Sequence, residues 1–244
     1  VNPLPYEVEL YGLAVLLYLY DSSVLLYGNE AVLTRTSAQR WSSSWGWMGF
    51  SLARRTLCVL NPFTPHMPCF RLSWNFRNEH GLHADAQWPL FAERLQQIAP
   101  FVVISGIALF AILPLGLFSA LGAYAVGAAC VLLYGSVLLA LYRLYGQRKS
   151  LALVGNRFWG FAFECIACPP FAVNMLRRIT LAVRVTEPLP IASERLLNPE
   201  QWTKMRTECL SRVNLALQSA DPGTAEYLAL AAHKTWLCAY PDHR

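Results

Sequence analysis

Residues 95–142, LQQIAPFVVISGIALFAILPLGLFSALGAYAVGAACVLLYGSVLLALY, contain no charged side chain; Arg94 closes one end of the stretch and Arg143 the other. One helix needs ~20 predominantly apolar residues to cross a bilayer, so this stretch is long enough to cross and return. The predicted first helix runs from Ile98 to Ala120, and thirteen of its residues are Leu, Ile, Val or Phe. On the insertion scale they favour the membrane by roughly 6 kcal/mol before the costs of Pro, Gly and Ser. Pro114 removes a backbone donor and should kink the helix. Pro100 lies near the helix start, where proline is tolerated. The predicted second helix runs from Leu121 to Tyr142, with Gly122 near the turn. Ala123 and Gly127 form a small-xxx-small pair, which either seats a partner helix or packs the hairpin onto itself.

Charge orients the hairpin. Arg94 precedes it, Arg143, Arg148 and Lys149 follow it, and the connection is neutral. The positive-inside rule therefore predicts both ends in the cytoplasm. Only 14% of the 244 residues are charged, against about 25% in a soluble domain, and the deficit falls mainly in this run and the N-terminal segment. The net charge of +5 is mostly arginine flanking apolar segments. Membrane orientation and anionic lipid explain it more simply than nucleic acid. The seven cysteines are odd in number and lack the spacing of a secreted disulfide framework, so reduced thiols are expected. Acidic Glu7 and Glu9, rather than a basic run, precede the first apolar stretch, which argues against a secretory signal peptide.

Residues 10–28, LYGLAVLLYLYDSSVLLYG, admit two readings. As a third spanning helix, nine Leu or Val contribute about −4 kcal/mol and Asp21 costs about +3, so the sum is near zero. Glu7 and Glu9 before the segment and Arg35 and Arg40 after it favour the crossing, with the N-terminus outside. Asp21 would then be an intramembrane charge, either bonded to a partner helix, serving as a proton site, or wetted near an interface. The competing reading breaks the segment at Asp21. Residues 6–20 become a helix on or in the membrane, and Val24–Tyr27 pairs with Ala31–Thr34 across Gly28-Asn29-Glu30.

Residues 29–95 read as a β-leaning cytoplasmic domain, with short strands at Thr56–Leu60 and Cys69–Trp74 between proline-marked turns. Trp41, Trp45, Trp47, Trp74 and Trp88 suggest contact with the headgroup layer or an aromatic patch for a partner protein. Asp85 can cap a helix from Ala86 that leads into the bilayer. Residues 151–185 are apolar but carry Arg157, Glu164, Arg177, Arg178 and Arg184. They fit an interfacial amphipathic helix with its arginines toward the headgroups, broken at Pro169-Pro170. The end of the chain reads as a helical hairpin. Asn198-Pro199 starts its first helix, Trp202, Met205, Cys209 and Val213 mark the buried face, and Asp221-Pro222 starts its second.

Chemistry-bearing motifs are sparse. Cys165 and Cys168 form a C-x-x-C that could hold zinc or a redox disulfide, but further ligands are needed and Cys58 and Cys69 lack knuckle spacing. The plainer reading makes these cysteines small hydrophobes. His80, His83 and Asp85 resemble half a metal site in a polar loop, whereas His66, His233 and His243 have no evident partners. No phosphate-binding glycine loop, nucleophile elbow or transporter-like repeat is present.

The expected fold is therefore a mainly α membrane protein with two or three transmembrane helices, a β-leaning insert and a C-terminal helical hairpin. Its segments are 1–28, 29–95, 96–145, 146–195 and 196–244. The expected function is a non-catalytic subunit that anchors, scaffolds or helps assemble a membrane protein complex. The expected location is a bacterial inner membrane, with polar regions mostly cytoplasmic. Lipids and other membrane subunits are the expected partners, in a homo- or hetero-oligomer, without nucleic acid, and no cofactor is expected. The alternatives are a zinc or redox protein using Cys165 and Cys168, and an oligomeric channel or transporter lined by Asp21.

Overall fold

A computed structural model describes residues 6–36, 40–74, 87–119, 122–148 and 155–239. The chain runs α1 (Tyr6–Asp21), β1 (Ser23–Tyr27), β2 (Glu30–Arg35), β3 (Trp41–Ser44), β4 (Trp47–Leu52), β5 (Arg55–Val59), β6 (Cys69–Ser73), α2 (Gln87–Leu95) and α3 (Ala99–Ile107). A π-helical turn (Ala108–Ile112) follows, then α4 (Leu113–Phe118), α5 (Gly122–Gln147), α6 (Asn156–Ala167), α7 (Pro169–Val173), α8 (Met175–Leu181), α9 (Leu189–Leu196), α10 (Pro199–Ser219) and α11 (Ala225–Ala239). Helix accounts for 66% of the described residues, and the strands form two small antiparallel sheets ordered β1-β5-β4 and β3-β2-β6. The chain divides into two compact units, one of Val1–Val24, Val59–Pro68 and Pro89–Ala182, the other of Leu25–Cys58, Cys69–Trp88 and Val183–Arg244. Each unit thus draws on several of the sequence segments set out above.

The first unit contains the apolar hairpin. Ala99–Phe118 and Gly122–Gln147 are both long and apolar enough to cross a membrane. Pro114 acts as its chemistry demands. Having no N–H, it cannot bond the Phe110 carbonyl, and the helix loosens just before it, with the Leu113 N–H reaching back five residues to the Ala108 carbonyl. Gly122 takes φ +45 as the second helix begins, a conformation open to glycine at little cost. The two helices approach closely at Gly116, where a Cβ would lie 2.8 Å from the Val126 backbone nitrogen. Ser105 and Ser136 hydrogen-bond between them at 2.7 Å. Val102, Leu109, Leu133, Val137 and Leu144 are buried with Tyr18, Phe158 and Leu176 in one continuous core.

Residues 10–28 do not form one helix. α1 stops at Asp21 and β1 begins at Ser23, so the predicted third crossing of that length is absent and the break falls at the charged residue. The strands on either side of Gly28-Asn29 do not pair with each other as the competing reading expected. β1 joins β5, whereas β2 joins β3 and β6. Arg35, taken as a marker of the cytoplasmic side, is buried in β2.

Residues 156–181 also depart from expectation. The break at Pro169 is there, but α7 and α8 are largely buried, including Arg177 at 2% exposure, instead of presenting their arginines to headgroups. A helical-wheel argument cannot tell a headgroup from a carbonyl supplied by a distant loop.

In the second unit, β2 pairs with β6 in the register Leu33↔Phe70, and with β3 in the register Leu33↔Ser43. Trp41, Trp74 and Trp88 are core residues; of the five tryptophans read as a lipid or partner surface, Trp47 is the exposed one, at 69%. The Trp88 indole N–H donates to Glu187 Oε2 at 2.8 Å, and Arg195 pairs with the same carboxylate at 2.7 Å. α10 begins as predicted, with the Asn198 side chain accepting from the Gln201 N–H at 2.8 Å. Trp202, Met205, Cys209 and Val213 are all buried. α11 starts three residues later than Pro222, because the Thr224 hydroxyl, not Asp221, accepts from the Tyr227 N–H. Asp85, His80, His83, Ala120, Leu121, Lys149 and His243 lie outside the described residues.

Candidate functional site

The end of α1 meets α6, α7, α8 and the loop 59–68 in a partly buried polar cluster of the first unit. Arg178 is its centre. Its Nε lies 3.7 Å from Asp21 Oδ1, its Nη2 donates to Glu164 Oε2 at 2.5 Å, and its guanidinium sits 4.4 Å from the Phe171 ring centroid. Asn174 is fully buried at the α7–α8 junction and donates to the Tyr18 carbonyl at 3.3 Å and to Ser22 Oγ at 3.0 Å. The local sequence explains this placement. Pro169-Pro170 ends α6 and starts α7, and Asn174 interrupts the helix so that Arg177 and Arg178 turn inward.

Arg177 works on a different wall. Its Nη2 donates to the carbonyls of Asn61 at 2.5 Å and Thr64 at 2.7 Å, while the Tyr18 hydroxyl donates to the Pro62 carbonyl. Two prolines and these bonds fix the loop 61–66 from behind. In front of it lies a cavity of about 530 Å³, bounded by α1, the loop and the α3–π-turn segment.

Electrostatics follow from burial. Desolvation pushes the Asp21 carboxyl above its ordinary value, while Arg178 and a hydrogen bond from Asn174 pull it part of the way back. His66, on the cavity wall, is pushed below its ordinary value by desolvation and by Arg177, which favours the neutral imidazole. The Cys165 thiol is pushed up to about 12, chiefly by burial. Thiolate ligation or redox chemistry asks for the opposite shift. Cys168 is half-buried at the end of α6, and both thiols are free. Among the described residues, no group of three or more His, Cys, Asp and Glu is placed to hold a metal ion.

Ala123 and Gly127 are exposed, and a Cβ on Gly127 would meet nothing within 4 Å. The hairpin's own seam runs instead through Gly116, Ser105 and Ser136, so this small pair does not close the hairpin onto itself. The cluster thus unites two predicted positions, Asp21 and Cys165, with Arg178, Asn174 and Arg177, whose inward roles sequence reasoning missed. An Asn four residues past a double proline and three before paired arginines was the available signal.

The second unit has its own concave site, of about 680 Å³, lined by Met48, Thr56, Trp74, Arg212, Glu226 and His233 among others. The His233 ring stacks with Trp74 at 5.2 Å and with Trp236 at 6.1 Å between centroids. Arg212 donates to the Gly46 carbonyl and to Glu208 Oε1, both at 2.8 Å, with its guanidinium 4.7 Å from the Trp45 ring. Cys209 Sγ lies 3.9 Å from His233 Nε2. Burial pushes the thiol up to about 12 and the imidazole down to about 4, so both stay neutral rather than forming the ion pair of a cysteine nucleophile. His233 and Leu237, one turn apart on α11 and both buried, carried the helical spacing that marks this face.

Comparisons with protein-family models, with curated proteins and with solved structures found no match to this chain.

Proposed function

We propose that this chain is a non-catalytic integral subunit that anchors or scaffolds a larger membrane protein assembly, with its polar regions on the cytoplasmic side of an inner membrane. One observation carries the reading: the two apolar helices are only partly covered by their own chain. Only 28% of the Ala99–Phe118 window and 39% of the Gly122–Gln147 window is buried. Tyr124, Val131 and Tyr142 are more than 70% exposed. A core helix of a water-soluble protein buries such side chains, and large contiguous apolar surfaces mark membrane or partner contacts. Lipid and neighbouring helices supply the missing cover here. The outward Ala123 and Gly127 favour a neighbour, because small residues let helix backbones approach closely. Asp21 supports this reading over an ion path, since its carboxylate already faces Arg178 and Asn174.

Two measurements test this. The chain should stay in the membrane pellet through alkaline carbonate washing and should co-purify with another membrane protein in mild detergent. Gly127→Leu should lose that companion while leaving the hairpin folded. Recovery from the aqueous fraction without detergent, or isolation as a stable lone monomer, would overturn the proposal. Impermeant labelling that places Arg148 on the outer face would overturn the orientation.

A further inference from the structure

The cavity in front of the loop 61–66 has the form of a built binding site. Its walls come from Val15 and Tyr18 on α1, Pro62 and His66 on the loop, and Ile107 and Phe110 at the α3–π-turn junction. At about 530 Å³ it falls within the roughly 300–1,000 Å³ range of ligand cavities. Three observations bear on what fills it. The wall bearing Ile107, Phe110 and Ala111 is part of a helix long and apolar enough to span the bilayer, and where that helix spans, the medium at this wall is hydrocarbon. The π-turn that Pro114 forces lies along the same wall, and such turns recur where a helix is shaped for binding. The opposite wall is held rigid from behind by Arg177 and Tyr18, so the cavity exists before anything enters it. Apart from backbone, the polar groups on its walls are the Tyr11 and Tyr18 hydroxyls and His66, with no charged side chain among the lining residues.

We propose that this cavity holds one hydrocarbon chain of a membrane phospholipid, with His66 at its polar end. A neutral, apolar slot facing acyl chains takes the commonest apolar molecule around it. The preformed wall spares the ordering cost that a flexible groove would incur. Ile107 and Leu19, both on the cavity wall and exposed, line an apolar entry from the bilayer side. The partly buried polar cluster thereby acquires a role: Arg177 positions the wall against which the chain packs.

The proposal rests on the reading of the two apolar helices as membrane spans, and the test separates the two. Purified full-length chain is reconstituted in nanodiscs of phosphatidylcholine carrying a diazirine on one acyl chain, irradiated, and mapped by peptide mass spectrometry. Adducts should concentrate at Val15, Ile107 and Phe110. They should fall at least tenfold in Ala111→Trp, which fills the cavity from an exposed position. Val131→Trp, on the exposed face of α5, should leave them unchanged. Adducts spread evenly along both spans, or undiminished in Ala111→Trp, would overturn the cavity while leaving the membrane reading intact. Failure to enter nanodiscs at all would overturn both. His66→Ala should shift the adducts along the cavity without abolishing them, and no shift would remove His66 from the polar end.

Discussion

Ser105 and Ser136 place their hydroxyl oxygens 2.7 Å apart, buried between the two long apolar helices. Each hydroxyl oxygen also lies 2.9 Å from a carbonyl of its own helix, Ser105 from Phe101 and Ser136 from Leu133, so one serine donates to the other while that other donates to its own carbonyl. Either serine therefore keeps an acceptor when the other is removed. Ser105→Ala and Ser136→Ala are each expected to cost little, and a double-mutant cycle should give a coupling of about 0.6 kcal/mol, the ordinary worth of an interhelical hydrogen bond in lipid. Unfolding in mixed micelles measures this, and a coupling near zero would show that the pair is not a fastener.

Gly116 sets how closely the hairpin closes. A Cβ there would stand 2.8 Å from the Val126 backbone nitrogen and 2.9 Å from Val126 Cγ2. Backbone cannot swing aside as a flexible side chain does. Gly116→Ala is expected to destabilise the hairpin by about 1–3 kcal/mol, as overpacking does, and Gly116→Val by more. Gly135, where a Cβ meets nothing within 4 Å, is the matched control and should accept alanine without loss. Disulfide trapping across the two helices reads the separation directly.

The hairpin was legible because hydrophobic length and the absence of charge are local properties. The expected spans, Ile98–Ala120 and Leu121–Tyr142, overlap the observed Ala99–Phe118 and Gly122–Gln147. The α10 face was legible for the same reason, since cap, proline and apolar spacing all lie within one element. What escaped depends on contacts between residues far apart in sequence. Arg177 bonds Asn61, 116 residues away, and Asn174 bonds Ser22, 152 residues away. A wheel or hydropathy sum treats such side chains as solvent- or headgroup-facing by default. The N-terminal segment failed differently: its insertion sum lay near zero, so hydropathy had no vote, and the helix stops at Asp21, which lies 3.7 Å from Arg178.

Arg178 serves two carboxylates at once, which makes its loss and theirs unequal. Arg178→Met leaves Asp21 and Glu164 without their shared cation and is expected to cost about 2 kcal/mol at neutral pH. Asp21→Asn keeps a hydrogen-bonding group of the same shape and removes a buried charge, so it should be neutral or mildly stabilising there. The pH dependence has a definite sign. Burial raises the folded-state value of Asp21 above its ordinary 3.8. Its contribution is therefore fully present below that ordinary value and fades as pH rises through the folded one. Asp21→Asn should flatten that limb of the stability profile. Thermal unfolding in detergent between pH 3.5 and 7, as an order-of-magnitude window around that titration, checks both variants, and equal losses in the two would refute the shared-cation account.

His233 makes the opposite demand on pH. Stacked against Trp74 and buried beside Cys209, it is held neutral, with its ionisation pushed down to about 4 by desolvation. A depressed value means that the stability it permits is complete above its ordinary 6.5 and is lost as pH falls toward the folded one. The C-terminal helical pair should therefore weaken progressively between neutral pH and pH 4, by up to about 3 kcal/mol. His233→Phe keeps a flat ring against the two indoles and cannot take a proton. It is expected to abolish most of that acid limb while leaving stability at pH 7.5 nearly unchanged. Urea unfolding followed by tryptophan fluorescence reports on this pair, because Trp74 and Trp236 both stack with the ring. An acid limb as steep in His233→Phe as in the parent would place the responsible proton elsewhere.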